Sequence, residues 1–409
     1  MKEFFNVMNV QDVLALAEEF APVGTEVVDI LESAGRVLAE DIFSDMDLPD
    51  FSRSTMDGYA VQAASTFGAT ESAPAYMTVV GSIAMGETPA FSIRAGQAAR
   101  ISTGAMLPPG ADGVVMIEHT ACIDDGTIEV YRSIAPGQHV IEKGEDYRDG
   151  QPVLSKGTRI RPQETGLLAA FGKKSVRVFK KPVLGIISTG DEIVEIDKRP
   201  AVAQIRDINT YTLCAMAAES GAAAVTYGIV RDDYEALFAV CAGALEECDT
   251  ILVSGGSSVG VRDFTIDVLS ALPEAVILAH GISISPGKPT ILARTGGKAF
   301  WGLPGHVVSA MIVYKMIVAH FIDRIAGVCL KKKKELRISA VLSRNISSVT
   351  GRVDYVRAKL TERDGVLTAE PILGKSGLIH TMVKADGLIE IGMNTEGLVK
   401  GEIVKVLPF

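Results

Sequence analysis

The sequence predicts a multidomain chain in which a doubly wound α/β segment is flanked by β-rich segments. Three observations carry this. The 409 residues exceed the roughly 100–200 that an ordinary domain uses, so two to four domains are expected. Between residues 182 and 327 apolar runs alternate with helical patterns, as in parallel strands covered by helices on both faces. Residues 48–141 and 336–409 instead read as short alternating runs broken by Gly, Pro and Asp turns. That texture is all-β, a small barrel or sandwich in the first case and a small β domain in the second.

Taken in order, residues 9–20 (NVQDVLALAEEF) read as an amphipathic helix, with Val10, Val13, Leu14, Leu16 and Ala17 on one side and Asn9 as its cap. Residues 26–43 hold a strand, a short helix and the pair Gly35-Arg36. The β-rich runs AYMTVVGSI, QAARIST, GVVMIE and TIEVYR follow, and residues 163–171 return to helix. The α/β strands are VLGIIST, AAVTYGIV, DTILVSG, AVILAH and AFWGLPG, alternating with helices at 209–220, 232–247, 263–271 and 305–325. The lysine run 331–334 reads as a solvated linker.

Bulk properties exclude several functions. A net charge of −10 argues against general nucleic-acid binding, so an anionic substrate needs a local cationic or backbone-amide pocket. The five cysteines are scattered and never form CxxC, which disfavours a disulfide framework or a thiolate zinc site. The best candidate membrane span, residues 307–322, is interrupted by Lys315 and His320 and falls short of about 20 apolar residues. The start MKEFFNVMNV lacks the pattern of a secretory signal, so the cytoplasm is expected.

The chemistry is expected at glycine loops that follow predicted strands. They are Ser188-Thr189-Gly190-Asp191-Glu192, Ser254-Gly255-Gly256-Ser257-Ser258-Val259-Gly260 and Leu303-Pro304-Gly305-His306. Ligands of open parallel sheets bind beyond the carboxyl ends of the strands. Glycines there admit anions to backbone amides, and the next helix N-terminus adds a favourable dipole. Together they predict an anion or phosphate pocket, with ordinary tight turns as the alternative. A fourth loop, Ser285-Pro286-Gly287-Lys288-Pro289-Thr290, holds Lys288 between two stiffening prolines; a surface turn with a solvated lysine is the other reading. Asp191, Glu192, Asp207 and Asp263 lie on or near these loops. Carboxylates beside a phosphate pocket point to a bridging magnesium ion, although capping and turn formation explain each one alone. Ser54 to Ala60 and Lys143 to Asp146 read locally as turns.

These segments taken together resemble the molybdopterin molybdenumtransferase (MoeA) family, which includes the E domain of gephyrin. The matching stretches are Ser54-Thr55-Met56-Asp57-Gly58-Tyr59-Ala60, Ile101 to Ala105, Pro109 to Asp112, Gly144-Glu145-Asp146, Ser188 to Glu192, the Ser-Gly-Gly loop, Pro-Gly-Lys-Pro and Leu-Pro-Gly, all in family order. The similarity runs from about residue 10 to the C-terminus. It implies an elongated linker domain of residues 1–44 with 147–178 and a β-rich domain of 45–146. An α/β molybdopterin-binding domain would span 179–327, and a C-terminal β-barrel-like domain 328–409. It further implies an elongated homodimer. The active-site cleft would lie between the α/β and C-terminal domains of one subunit and the β-rich domain of the other.

The reaction implied is insertion of molybdate or tungstate into adenylylated molybdopterin, with magnesium-dependent release of AMP. The resemblance assigns catalysis to Asp57, Asp146, Glu192 and Lys288. It assigns pterin-nucleotide binding to Ser188, Gly190, Asp191, Asp207, Gly255, Gly256, Ser257, Ser258, Pro286, Gly287, Pro304 and Gly305. Magnesium would fall to Asp191, Glu192 and Asp263, and the oxyanion to Lys288, Arg357 and Ser376, with Arg352 competing for the arginine role. An arginine suits an oxyanion because its planar fork donates in pairs. The molybdopterin adenylyltransferase is a candidate partner; no nucleic acid or membrane is expected. The chain departs from the common pattern at Val261, Ser285 and His306. Loss of cationic charge near the oxyanion would weaken its binding unless His280 or His306 substitutes, which would make that binding pH-sensitive. Two rivals therefore stand beside the insertase: a divergent paralogue that binds a pterin nucleotide without inserting metal, and a scaffold protein.

Overall fold

The apolar runs of the α/β segment become six strands of one sheet in the computed structural model, which describes residues 7–255, 264–332 and 335–409. The chain divides into two compact units, one of Met1–Ala39, Lys156–Arg161 and Val176–Phe409, the other of Glu40–Ser155 and Pro162–Ser175.

In the first unit the strands are β1 Val183–Thr189, β2 Ala223–Val230, β3 Thr250–Ser254, β4 Val276–His280, β5 Ile291–Thr295 and β6 Lys298–Leu303. The helices are α1 Asn209–Glu219, α2 Tyr234–Glu247, α3 Phe264–Ala271 and α4 Val307–Val313. The spatial order is β2-β1-β3-β6-β5-β4. Side chains alternate as a strand's two-residue period requires. Leu184, Ile186, Leu252, Trp301 and Leu303 enter the core cluster that contains Leu213, Val308 and Ile312 of α1 and α4. Ile187, Ile251, Val253 and Phe300 enter the opposite one with Leu237 of α2 and Val268 of α3. The sheet is therefore doubly wound, as expected.

It is not wholly parallel. The strands β1, β2, β3 and β6 are parallel, but β5 runs antiparallel to both β6 and β4. The cause is the Gly296-Gly297 turn, with φ of +52° and +77°. Two such residues make the tight hairpin whose twist matches paired strands, and this turn went unread in the sequence.

The helix expected over 305–325 is also more complex, because α4 passes through a π turn at Tyr314–Val318 before α5, Ala319–Ile325. The helix expected over 9–20 is α-helical only at Val10–Ala15 and 3-10 at Leu16–Glu19. Its cap is Asn9, whose Oδ1 accepts from Asp12 N at 2.8 Å.

The C-terminal strands are β7 Ile338–Leu342, β8 Val353–Arg363, β9 Val366–Pro371, β10 Gly387–Ile391 and β11 Ile403–Pro408. The β8–β9, β9–β7, β7–β11 and β11–β10 pairings, with β10–β8, close a five-stranded barrel. Its interior holds Leu342, Ala358, Ala369, Ile389 and Val406. The pair Ile284–Ser285 adds in parallel to the start of β8, with Ser285 opposite Asp354. The Pro-Gly-Lys-Pro loop thus leaves from a short strand paired to the barrel.

The second unit centres on a six-stranded sheet in the order Gly113–Met116, Gly58–Val61, Gln97–Ile101, Ala75–Ile83, Thr127–Val130, Thr120–Asp124. Both faces are covered. Tyr59, Val61 and Val115 enter one core, while Ala60, Ile101 and Val114 enter another. Among the described residues no helix is long and apolar enough to cross a membrane.

Candidate functional site

The chain leaves β1 to form β2 on one side and returns to form β3 on the other. The carboxyl ends of β1 and β3 therefore flank the switch point, where open α/β sheets hold ligands. Ser188 and Ser254 face each other there in register. Just beyond, Gly255 has φ of +122°, and a Cβ added to it would lie 2.1 Å from Thr189 O. Only glycine brings the two loops this close.

One short segment ties the strand ends together. Ser188 Oγ donates to Asp207 Oδ1 at 3.0 Å. Asp207 also accepts from Thr210 N at 3.1 Å and from Thr210 Oγ1 at 2.6 Å. Asn209 Nδ2 donates to Ser254 Oγ and, at 2.8 Å, to Gly305 O. Residues 207–210 thus anchor the ends of β1, β3 and β6. Asp207 was expected to bind ligand; it is 6% exposed and its bonds are to protein. Asn209 and Thr210 were missed, although the Asp-x-Asn spacing at a helix start was a visible signal.

The third loop meets the barrel. A Cβ on Gly305 would lie 3.6 Å from Gly255 Cα, so the two glycine loops are neighbours. Next in sequence, His306 Nδ1 lies 2.8 Å from Ser376 Oγ, and Val308 N, in the first turn of α4, donates to Ser376 O at 3.1 Å. The family-derived Ser376 and the divergent His306 are thereby brought together. Arg357 on β8 is 7% exposed. Its Nη2 donates to Gly374 O at 2.8 Å and its Nη1 to Thr381 Oγ1 at 3.2 Å, and burial pushes its guanidinium pKa down. It fixes the segment carrying Ser376. Arg352 pairs with Asp354 at 2.8 Å. Lys288 is exposed, and its carbonyl accepts from Ile282 N at 2.9 Å.

The carboxylates on the β1 loop are exposed. Asp191 Oδ1 accepts from Asp232 N at 3.3 Å, and Asp232 Oδ1 accepts from Thr189 Oγ1 at 3.0 Å. No three His, Cys, Asp or Glu side chains among the described residues form a metal cage. Magnesium rarely needs one, since it takes one or two carboxylates and completes its octahedron with water and substrate phosphate. The exposed carboxylates of Asp191 and Glu192, beside the switch point, fit that mode. Gly256, Ser257, Ser258, Val261 and Asp263 lie outside the described residues.

In the second unit two sequence motifs meet. Asp57 Oδ1 accepts from Thr103 N at 2.7 Å and from Thr103 Oγ1 at 3.1 Å. These bonds, the backbone one first, hold the Asp57 carboxyl below its ordinary range. Thr103 was overlooked, though it sits inside the Ile101–Ala105 motif. Asp146 is exposed, and its backbone N donates to Leu48 O at 3.0 Å. A cavity of 1110 Å³ in the first unit, lined among others by Arg159, Met216, Tyr314, Met382 and Phe409, contains none of the expected site residues.

A doubly wound sheet with its crevice at the switch point, a closed barrel and a β-rich unit define a multidomain protein built around an open-sheet ligand-binding crevice. Three family models match in succession: "MoeA N-terminal region (domain I and II)" over residues 8–172, "Probable molybdopterin binding domain" over 185–324 and "MoeA C-terminal region (domain IV)" over 339–409. A Methanocaldococcus jannaschii protein named for molybdopterin biosynthesis is 37% identical over 394 residues, 93% of this chain and 91% of that one. The molybdopterin molybdenumtransferase of Bacillus subtilis is 33% identical over 387 residues, covering 94% and 89%. The crystal structure of a Pyrococcus horikoshii MoeA protein superposes with a TM-score of 0.77 at 38% identity, covering 98% of this chain and 99% of that one. The chain belongs to the molybdopterin molybdenumtransferase family, whose members serve molybdenum cofactor biosynthesis.

Proposed function

We propose that this protein inserts molybdate or tungstate into adenylylated molybdopterin, with magnesium-dependent release of AMP. The observation that carries the reading is the switch-point crevice, where the Gly255 and Gly305 loops and the polar segment 207–210 converge. The phosphate-bearing ligand rests on backbone amides of the glycine loops, including those of Gly256, Ser257 and Ser258, and on Ser188, Gly190, Pro286, Gly287 and Pro304. Asp191 and Glu192, with Asp263, would hold a magnesium ion, which would supply positive charge against the phosphate. Lys288 and Ser376 hold the oxyanion substrate, and Arg357 keeps the segment carrying Ser376 in place. Glu192 and, from the β-rich part, Asp57 and Asp146 accept or position protons.

The protein acts as a cytoplasmic homodimer, with Asp57 and Asp146 supplied by the second copy, and receives its pterin nucleotide from the adenylyltransferase. The four-part division at residues 44, 146, 178 and 327 belongs to the same proposal. It is supported by the pairing of Thr25–Asp29 with Ser175–Phe179 and of Ile42–Phe43 with Pro152–Leu154, which link the N-terminal segment to the one after residue 147.

The test is calorimetric titration of the purified protein with adenylylated molybdopterin and magnesium, then with molybdate or tungstate, while AMP is quantified. Oxyanion-dependent AMP release is expected, and the more effective anion names the metal. Pterin binding without AMP release under either anion would replace the insertase by the divergent binding paralogue. No binding at all would leave the scaffold.

A further inference from the structure

Asn209 occupies an unusual position. It is 7% exposed at the start of α1, and its side chain bonds to two loops far apart in sequence. Its Nδ2 donates to Ser254 Oγ and to Gly305 O. Because a carbonyl oxygen only accepts, the amide must turn its nitrogen toward Gly305, and its orientation is settled without ambiguity. Its Oδ1 is buried and has no hydrogen-bond partner among the described residues. A buried acceptor without a donor is destabilising, so a side chain serving stability alone would not be expected to leave one. The side chain is kept in place by the ends of β3 and β6, which are also joined by Gly255 N donating to Leu303 O at 3.3 Å.

The loops concerned precede Gly255 and follow Pro304, and they are already in near contact, since a Cβ on Gly305 would lie 3.6 Å from Gly255 Cα. We propose that Asn209 is the positioning residue of the crevice: its amide, beside the bond from Gly255 N to Leu303 O at 3.3 Å, fixes how Gly255 and Gly305 sit against each other, and so the shape of the crevice that takes a phosphate group. This rests on the crevice being the pterin-nucleotide site. Asp207 performs a different task two residues earlier, bonding Ser188 and Thr210 and touching neither glycine loop through any bond described above.

The experiment is calorimetric titration of the full-length protein with AMP in the presence of magnesium, accompanied by thermal melting. Three variants are compared with the parent: Asn209→Ala, the milder Asn209→Ser, and Leu213→Ala, which removes a fully buried side chain of the same helix. Asn209→Ala is expected to weaken AMP binding by about tenfold or more at temperatures where it is folded. Asn209→Ser, too short to bridge both loops, moves affinity in the same direction and serves if the alanine variant does not fold. Leu213→Ala is expected to lower the melting temperature yet keep affinity within about twofold. AMP affinity unchanged in folded Asn209 variants overturns the proposal, as does an equal loss in Leu213→Ala, which would show that affinity merely follows stability. A parent protein that binds neither AMP nor adenylylated molybdopterin would instead overturn the reading of the crevice.

Discussion

Ser376 Oγ and His306 Nδ1 stand 2.8 Å apart, a bond between the barrel and the loop that opens α4. The Val308 N to Ser376 O bond beside it makes the junction two-pointed. A double-mutant cycle with His306→Ala and Ser376→Ala, read by urea denaturation, should give a coupling of roughly 0.5–1 kcal/mol. Strictly additive losses would mean that the contact contributes nothing in solution.

Asp57 owes its lowered pKa first to the Thr103 backbone amide and then to the Thr103 hydroxyl. Thr103→Val removes only the hydroxyl bond, so the Asp57 pKa should rise part of the way toward the ordinary value of about 3.9. A carboxylate lowered in the fold adds stability above its unfolded pKa and loses it as pH falls through the folded one. The acid limb of the stability curve should therefore flatten slightly in the variant. Carbon-13 detected titration of the Asp57 carboxyl checks this; an unmoved or lower pKa contradicts the assignment.

Gly255→Ala would press a methyl group against Thr189 O, at 2.1 Å before relaxation. Backbone strain of this kind costs on the order of 1–3 kcal/mol. The variant should show that loss in chemical denaturation and fail to retain AMP at concentrations that saturate the parent. Parental affinity would place the nucleotide elsewhere.

Asp207→Ala leaves Ser188 and Thr210, both buried, without their acceptor. Buried donors stripped of a partner cost about 1–3 kcal/mol each, so a lowered denaturation midpoint is expected. A loss below about 0.5 kcal/mol would show that water or Ser188–Thr210 pairing replaces the carboxylate.

Lys288→Ala and Asp57→Ala should each reduce oxyanion-dependent AMP release by about 100-fold or more, with the melting temperature nearly unchanged in the first and slightly lowered in the second, which loses the bonds from Thr103. Both side chains are exposed, so the fold does not depend on burying them. Full activity in either variant removes that residue from the site.

The elements legible in the sequence were those whose side chains obey one period. The alternation in VLGIIST and TILVS sends neighbouring residues to opposite cores, and that alternation survives folding unchanged. The π turn at Tyr314–Val318 and the antiparallel β5 were not read, for different reasons. A π turn shifts the phase of a helix by one residue, which leaves no mark in a segment buried on nearly every side, while β5 was announced only by Gly296-Gly297. At the site, the loops with glycines were visible because close backbone approach demands that residue. The network of Asp207, Asn209 and Thr210 was not, because its bonds join residues up to 96 positions apart, and no local pattern records them. The Asp57–Thr103 contact, 46 positions apart, was hidden in the same way.

The α4 helix takes its end bond from Ser376, and Tyr355, Met382, Leu388 and Leu407 of the C-terminal part share one core with Tyr314, Ile317 and Phe321. A chain cut after Cys329 would thus expose a greasy flank and unmoor a helix, so the α/β sheet is no transplantable module. Calorimetry should register sheet and barrel melting together in one endotherm, and engineering either half means engineering both.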